Sequence, residues 1–393
     1  MLSFRNRGII MITGSKELIR DINRNLILES IINAGSVSRA KLAQITGLTK
    51  ATVSTIVAEL IDQELVLEIG SDNTSLGRKP ILLTFNPSCG HVISVDLNTT
   101  TISVLISDLR GMHCSLTLHE HTISNETILP YLYEILRDTV ATISDSKHGV
   151  IGICIGIHGT VFNNNILFSP YAPYEGLPFQ SYLQDLLEIP VFLENEANLS
   201  VIGEQTFCYN VPNLIGISVH SGIGVGIIIN QDLYKGHNGN AGEFGHTIVE
   251  RGGRLCPCGN RGCLEQYASE RIILQQYRDF YDLPSISLDA FLDAYTKNDT
   301  CAISLIDDFI SYMAITINNL LATFNPNMIV INSSFIINIP SLLAKLQERL
   351  QSRLSSNCTL VPSGLQDTSI LLGGVCVCTK NFLGIEHFSF QEK

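Results

Sequence analysis

The chain has 393 residues, 45% of them apolar and 16% charged, a core-forming composition that excludes a disordered protein and is long enough for two to four domains. The net charge of −12 is unevenly spread: residues 1–90 hold ten Lys/Arg against eight Asp/Glu, and residues 91–393 hold fifteen against twenty-nine. This excludes a body that attracts nucleic acid over its whole surface and leaves a mildly basic head able to meet DNA. The sequence offers no apolar run of the roughly 18 residues a membrane span needs, and the N-terminal MLSFRNRGIIMITG is interrupted too soon for a signal peptide, so no membrane partner and a cytoplasmic location are expected. Eight of the eleven cysteines, at 89, 114, 154, 208, 301, 358, 376 and 378, read as small core residues of a reduced protein.

Residues 17–33 space Ile22, Leu26, Leu28 and Ile32 as the buried side of a helix. Ser38 is placed to cap a second helix through Leu42 and Ile45, and Ala43 followed by Gly47 suits a tight corner. A third helix is expected from Thr49, with Val53, Ile56, Val57 and Leu60 inward and short polar residues outward. LVLEIG (65–70) and PILLTFN (80–86) read as strands flanking a hairpin that carries Gly77-Arg78-Lys79. Helix–turn–helix spacing arises by chance in many helical proteins; two strands in register behind it make a winged helix–turn–helix over residues 1–88. Such a head would meet operator DNA through Arg39, Thr49, Lys50, Thr52 and Ser54 on the helices and Arg78 and Lys79 on the wing.

Residues 89–393 alternate strand and helix. HVISVDLNTTTISVLISDLRG (91–111) is the opening hairpin of an actin/hexokinase-like lobe, its first strand ending at Asp96. GVIGICIGIHGTV (149–161) is a buried strand, and IPVFLENEANLSVIGE (189–204) is a strand followed by a helix. NLIGISVHSGIGVGIIIN (213–230) is two strands about a Gly-rich turn. Helices are then expected at 302–323, at 341–355 and after Leu371, with strands at 328–332 and 359–363. The alternation makes the fold class α/β, a winged helix–turn–helix and then a two-lobed body whose opening hairpin resembles that of the actin/hexokinase-like (ribonuclease H-like) sugar-kinase fold. Lobe 1 is set at about 89–205 with the C-terminal helix and lobe 2 at about 206–370.

Cys256, Cys258 and Cys263 lie within eight residues of a Gly-rich loop, with His246 ten residues upstream. Three Cys and one His are a tetrahedral zinc set; a disulfide or idle thiols are the alternatives. Glu243 and Glu265 flank these ligands, and Glu194-Asn195-Glu196 end a strand. Carboxylates and an amide converging in a cleft would suit a polyol, whereas solvated surface acids are the plain alternative.

ENEAN, AGEFGH, CPCGNRGCLE and the GRKP wing together resemble the ROK family (repressors, open reading frames, kinases), from about Asn23 to Gly384. The resemblance implies structural Zn2+ on His246, Cys256, Cys258 and Cys263, and sugar contacts from Asn195, Glu196, Glu243, His246 and Glu265. The DNA-binding head is similar to the repressor branch, most of all to xylose-responsive repressors of Gram-positive bacteria. It implies a non-enzymatic homodimer, or dimer of dimers, released from its operator by a small sugar effector, xylose. Family kinases have Asp where this chain has Glu196, and glycines where it has Asn98-Thr99, His220 and Asn332-Ser333-Ser334. The family loop carrying Asn and often Trp, expected to help shape the pocket, here reads SPYAPYEGLPF (169–179), in a chain with no Trp. A kinase with an accessory head, a repressor answering a hexose or oligosaccharide, and a DNA-binding protein with a vestigial pocket are the rival readings.

Overall fold

The computed structural model describes residues 16–71, 81–121, 126–353 and 358–390. It divides into two compact units, Met1–Asn86 with Leu383–Phe388, and Pro87–Phe382 with Ser389–Lys393.

In the first unit α1 (Lys16–Ala34) is followed by β1 (Val37–Ser38), α2 (Arg39–Thr46), α3 (Lys50–Asp62), β2 (Val66–Ser71) and β3 (Ile81–Phe85). The strands pair antiparallel in the order β1-β3-β2. The Ser38 hydroxyl caps α2 by accepting from the Lys41 N–H at 3.3 Å, and Gly47 ends it at φ 70°, a backbone that a side chain resists. Thr49 caps α3 rather than opening it, its Oγ1 accepting from the Thr52 N–H at 3.2 Å. Val53, Ile56, Val57 and Leu60 are buried, as their spacing requires. The expectation for α1 is corrected: its buried residues are Ile27, Leu28, Ile31 and Ile32, while Ile22 and Leu26 are 56% and 39% exposed. α1 is apolar on two sides, and α2, α3 and β3 cover only one of them. Ile45 is likewise exposed. The segment Leu383–Phe388 folds with this unit: Arg24 Nη1 donates to the Leu383 carbonyl at 3.3 Å, and Leu383 and Ile385 are buried.

The second unit holds two five-stranded sheets. The first comprises β4 (His91–Leu97), β5 (Thr101–Asp108), β6 (Ser115–Glu120), β7 (Val150–Ile157) and β10 (Val191–Asn195), in the order β10-β7-β4-β5-β6. It carries α4 (Ile128–Ala141), the hairpin β8 (Thr160–Phe162)–β9 (Asn165–Phe168), and α5 (Phe179–Leu187). After α6 (Glu196–Phe207) come β11 (Leu214–Val219), β12 (Ile223–Ile229), β13 (Asp232–Leu233), β14 (Met328–Ser333) and β15 (Thr359–Pro362), in the order β13-β12-β11-β14-β15. Inserted helices are α7 (Glu265–Ala268), α8 (Glu270–Phe280), α9 (Leu288–Thr296), α10 (Thr300–Phe324), α11 (Ser334–Asn338) and α12 (Ser341–Arg349); α13 (Ser369–Leu383) closes the body. In each sheet the first strand is central, with two antiparallel strands on one side and two parallel strands on the other. The two lobes thus repeat one topology.

The sequence reading misses β6, α4, α5, the β8–β9 hairpin and α7–α9, and it carries the helix from 341 past its end at Arg349. Of the scattered cysteines, Cys114 is exposed and Cys208, Cys301 and Cys358 are only partly buried. Contrary to the sequence reading, α10 is long and apolar enough to cross a membrane by length and composition. Asp307 and Asp308 break its apolar run, and Ile306, Phe309, Ile310, Met313, Ile317 and Leu320 are buried in the core of lobe 2.

α6 is wedged into the body by glycine on two sides. A Cβ on Gly226 of β12 would stand 2.3 Å from the Ala197 carbonyl oxygen, and one on Gly373 of α13 would stand 1.9 Å from the Leu199 carbonyl oxygen. We expect Gly226→Ala to lower stability by about 3 kcal/mol, the upper end of an overpacking cost. Urea denaturation checks this; an unchanged midpoint would show that the helix can move away freely.

Candidate functional site

Parallel strands end together at the site. Asp96 of β4 pairs with Gly156 of β7, and Ile157 of β7 pairs with Asn195 of β10, so the chain leaves all three strands at one edge. Ligands of open α/β sheets bind beyond such carboxyl ends. One cavity lies there, lined from lobe 1 by His158, Tyr171, Asn195 and Glu196 and from lobe 2 by Glu243, His246 and Glu265. All five residues expected to meet a sugar therefore line a single cavity.

Asn195 has little left to offer a ligand. Its Oδ1 caps α6, accepting from the N–H groups of Ala197 and Asn198 at 2.9 and 3.0 Å. Its Nδ2 donates to the Gly159 carbonyl at 3.0 Å and to Glu196 Oε2 at 2.7 Å. It therefore aims Glu196. Glu194 is not a solvated acid: it is buried, accepts from Asn195 N–H and Asn198 Nδ2 at 3.0 Å each, and pairs with the Lys235 ammonium.

Glu243 follows Gly242, which has φ +92° and would bring a Cβ within 1.9 Å of the Val225 carbonyl oxygen, so its loop lies flat on β12. Its Oε1 accepts from Thr160 Oγ1 at 2.9 Å, and its Oε2 is 3.7 Å from His246 Nε2. Glu265 is buried at the start of α7 and accepts from Tyr171 Oη at 2.9 Å and Gln266 Nε2 at 3.1 Å. The Arg271 guanidinium lies over the Tyr171 ring, 5.1 Å from its centroid, and donates to the Ser221 carbonyl at 3.2 Å. Burial and Glu265 push the Tyr171 hydroxyl up.

Asp96, His158, Thr160 and Arg271 are residues that the sequence reading did not assign to the site, while Tyr171 comes from the 169–179 loop expected to shape the pocket. His158 Nε2 lies 2.8 Å from Asp96 Oδ1. Burial lowers the basicity of His158, but the charge and hydrogen bond of Asp96, with Glu196 adding, raise it to about 9. The signal was a histidine ending the apolar run GVIGICIG, a place where a polar side chain needs a partner.

His246, Cys256, Cys258 and Cys263 bring their ligand atoms within 4.8 Å of one another. Cys258 Sγ to Cys263 Sγ is 3.7 Å, and Cys256 Sγ to His246 Nδ1 is 3.4 Å. A tetrahedral metal with ~2.3 Å sulfur and ~2.0 Å nitrogen bonds has edges of roughly 3.8 and 3.5 Å, so the donor set fits. His246 thus turns Nδ1 to the sulfurs and Nε2 to the cavity. Without a cation, burial pushes the Cys263 thiol up to about 11, and burial beside Glu265 pushes that of Cys256 further in the same direction; a bound metal reverses that preference.

Of the residues expected at DNA, Thr49 and Thr52 bond to each other at 2.9 Å on the first turn of α3, and Lys50 and Ser54 are exposed there. Arg39 is engaged with Glu68 at 2.8 Å, a partly exposed pair of small energetic weight. Arg78 and Lys79 lie outside the described residues.

Two lobes of repeated topology, with a cavity at the strand ends, define the actin/hexokinase-like sugar-kinase fold. A glucokinase from Streptomyces griseus, solved with glucose and AMPPNP, shares that fold with a TM-score of 0.65 at 22% identity, covering 73% of this chain and 99% of the glucokinase. The family model described as the ROK family matches residues 92–380. The chain belongs to the ROK family. It is 35% identical over 381 residues to a xylose repressor of Bacillus spizizenii, covering 95% of this chain and 98% of that protein. It also resembles a crystal structure of a ROK family transcriptional regulator, a homolog of the E. coli MLC protein, with a TM-score of 0.77 at 26% identity over 93% of this chain and 97% of that one.

Burial raises Glu196 to about 7, with the positive His158 opposing and Glu243 adding to the rise. Its folded pKa exceeds its unfolded value of about 4.3, so its favourable contribution is complete below that value and is lost as pH rises to about 7. Glu196→Gln should therefore gain stability relative to wild type between pH 5 and pH 8, measured by urea denaturation. A difference that does not grow with pH would contradict the assignment.

Proposed function

We propose that the protein is a sugar-responsive transcriptional repressor whose head binds operator DNA and whose cavity binds a small sugar, D-xylose first among candidates, that releases it. The observation that carries this is the convergence of Glu196, Glu243 and Glu265 on one cavity in a chain that also has a compact three-helix head. Three carboxylates suit a ligand with several hydroxyl donors. The full-length likeness to a xylose repressor supports both the class and the sugar.

In this reading residues 1–88 are a winged helix–turn–helix, with α2 and α3 meeting at Gly47 and α3 entering a major groove. Lys50, Thr52 and Ser54 would reach base edges or phosphates, and the helix N-terminus capped by Thr49 favours anions. Arg39, freed from Glu68, and the wing residues Arg78 and Lys79 would hold the backbone. A cytoplasmic homodimer would place its two α3 helices about 34 Å apart, one DNA turn.

His246, Cys256, Cys258 and Cys263 would hold Zn2+; four protein ligands leave no open position, so the role is structural. When bound, the ion would fix the loop between Glu243 and Glu265 and so set both carboxylates toward the cavity.

A sugar kinase with an added head is less well supported. Glu196 stands where family kinases have Asp, and its extra methylene moves the carboxylate by about 1 Å, enough to cost roughly 10²-fold. Asn332, in place of a glycine, donates to the Gln366 carbonyl at 3.1 Å and to Ser369 Oγ at 3.2 Å, filling space beside β14. We therefore assign no phosphoryl transfer.

Operator binding by fluorescence anisotropy at fixed salt, titrated with D-xylose and D-glucose, tests this. Release by xylose is expected, and Glu243→Ala should bind DNA normally while needing at least tenfold more sugar. An unaltered response in that variant would remove the cavity from the mechanism, and sugar phosphate formed with ATP would revive the kinase. Elemental analysis should find one zinc per chain. Cys258→Ser should lose it and unfold at lower urea; full zinc in that variant would reject the ligand set.

A further inference from the structure

The cavity is rich in acceptors and poor in donors. Glu196, Glu243 and Glu265 accept only, when ionised. Among the described residues, the neighbouring donors are largely engaged: Asn195 Nδ2 by Gly159 and Glu196, Thr160 by Glu243, and Tyr171 by Glu265. His246 faces the cysteines with Nδ1, while its Nε2, 3.7 Å from Glu243, stays free to donate into the cavity. A sugar, however, presents a ring oxygen that only accepts, and each of its hydroxyls has lone pairs as well as a proton. Ser221 Oγ, His246 Nε2 and His158 are the side-chain donors left on the lining, and of the two imidazoles only His158 has a carboxylate at hydrogen-bond distance.

His158 is mostly buried, its side chain 14% exposed, and it lines the cavity. Asp96 takes Nε2 at 2.8 Å; Nδ1 has no hydrogen-bond partner among the described residues. We propose that His158 is a ligand-contacting residue, the cationic donor that an effector meets among three carboxylates, and that Asp96 is the positioning residue that keeps it oriented and protonated. This rests on the reading of the cavity as a sugar site.

Three titratable groups face the imidazole. Asp96 approaches from β4, Glu196 from α6 and His220 from the turn after β11. The carboxylates hold His158 protonated up to about pH 9, while burial and the positive His158 push His220 down. A charge-assisted bond from Nδ1 is thus available throughout the neutral range, and it weakens as the proton leaves above pH 9. Removing the Asp96 charge takes away the main attraction that holds that proton, so the loss moves down toward the ordinary histidine value of about 6.5 or below.

The test is calorimetric titration of the full chain with D-xylose from pH 8 to pH 10, a window in which Glu196 remains ionised. Wild-type affinity should fall about tenfold across it, following one proton with a midpoint near 9. His158→Gln should bind about tenfold more weakly at pH 8 and then show no fall. Asp96→Asn should already be weak at pH 8 and flat above it. A flat wild-type profile, His158→Gln binding like wild type, or a midpoint that Asp96→Asn leaves in place would each overturn the proposal. The wild-type profile decides it even if a variant fails to fold. A wild-type protein that binds neither xylose nor any monosaccharide in a wider panel refutes the sugar site itself, an outcome read without any variant.

Discussion

The close seating of α6 is the constraint on which the site depends. Its twelve residues are buried almost all round, with β11 and β12 on one side and α13 on another. Backbone approaches backbone at Gly226 and Gly373, where any side chain would collide with a helix carbonyl. The wedge fixes the helix axis, and the Asn195 cap fixes its first turn. Glu196 opens that turn, so the direction of its carboxylate is decided by packing some distance from the cavity. Glu194, one residue before the cap, is held from the other lobe by Lys235. The ENEAN run is therefore a mechanical element first: the strand stops, the amide caps, and the second carboxylate is presented.

Charge is the second constraint. Three carboxylates around one cavity repel one another. The cavity answers with different partners for each. Glu243 and Glu265 sit beside His246 and the cysteine cluster, where a divalent cation would be the largest local charge. Glu196 stands beside the Asp96–His158 pair: burial raises it to about 7, and the positive His158 opposes that rise. Asp96 thus acts on Glu196 at one remove, by keeping a positive imidazole near it.

Much of this was legible in the sequence where local chemistry determines local structure. The Ser38 cap, the left-handed Gly47 and the inward stripe of α3 are set within a few residues of each other, and each appears in the structure. The Cys/His set was legible because three thiols in a polar loop have few other uses. The wrong face of α1 has the opposite cause: a helix with two apolar sides does not say which side its neighbours will cover. His158 and Thr160 were missed because their partners lie 62 and 83 residues away in the chain, and the pairing of Tyr171 with Glu265, 94 residues on, was hidden for the same reason. Nor does any motif mark Leu383–Phe388 as part of the head unit, since that packing joins the two ends of the chain.

Among the described residues, polar contacts that link the lobes around the cavity include Thr160 to Glu243, Tyr171 to Glu265, Arg271 to Tyr171, and Lys235 to Glu194. Each carboxylate oxygen can accept more than one hydrogen bond, so a sugar hydroxyl can donate to Glu243 or Glu265 without expelling the protein donor. A ligand that met Glu196 of lobe 1 together with Glu243 or Glu265 of lobe 2 would be gripped only while the lobes stay together, and so would bind that arrangement better than an opened one. Such differential affinity is all that a ligand can contribute to a conformational equilibrium. The coupling needed for a 5–150-fold effect on a distant equilibrium is about 1–3 kcal/mol, equal to one or two net hydrogen bonds of about 0.5–1.5 kcal/mol each. A ligand as small as a pentose has hydroxyls enough for that. In the proposed reading, the limit on such a coupling would be how many of these acceptors a ligand reaches at once, and their placement follows from the wedge that aims Glu196 and the loop that carries Glu243.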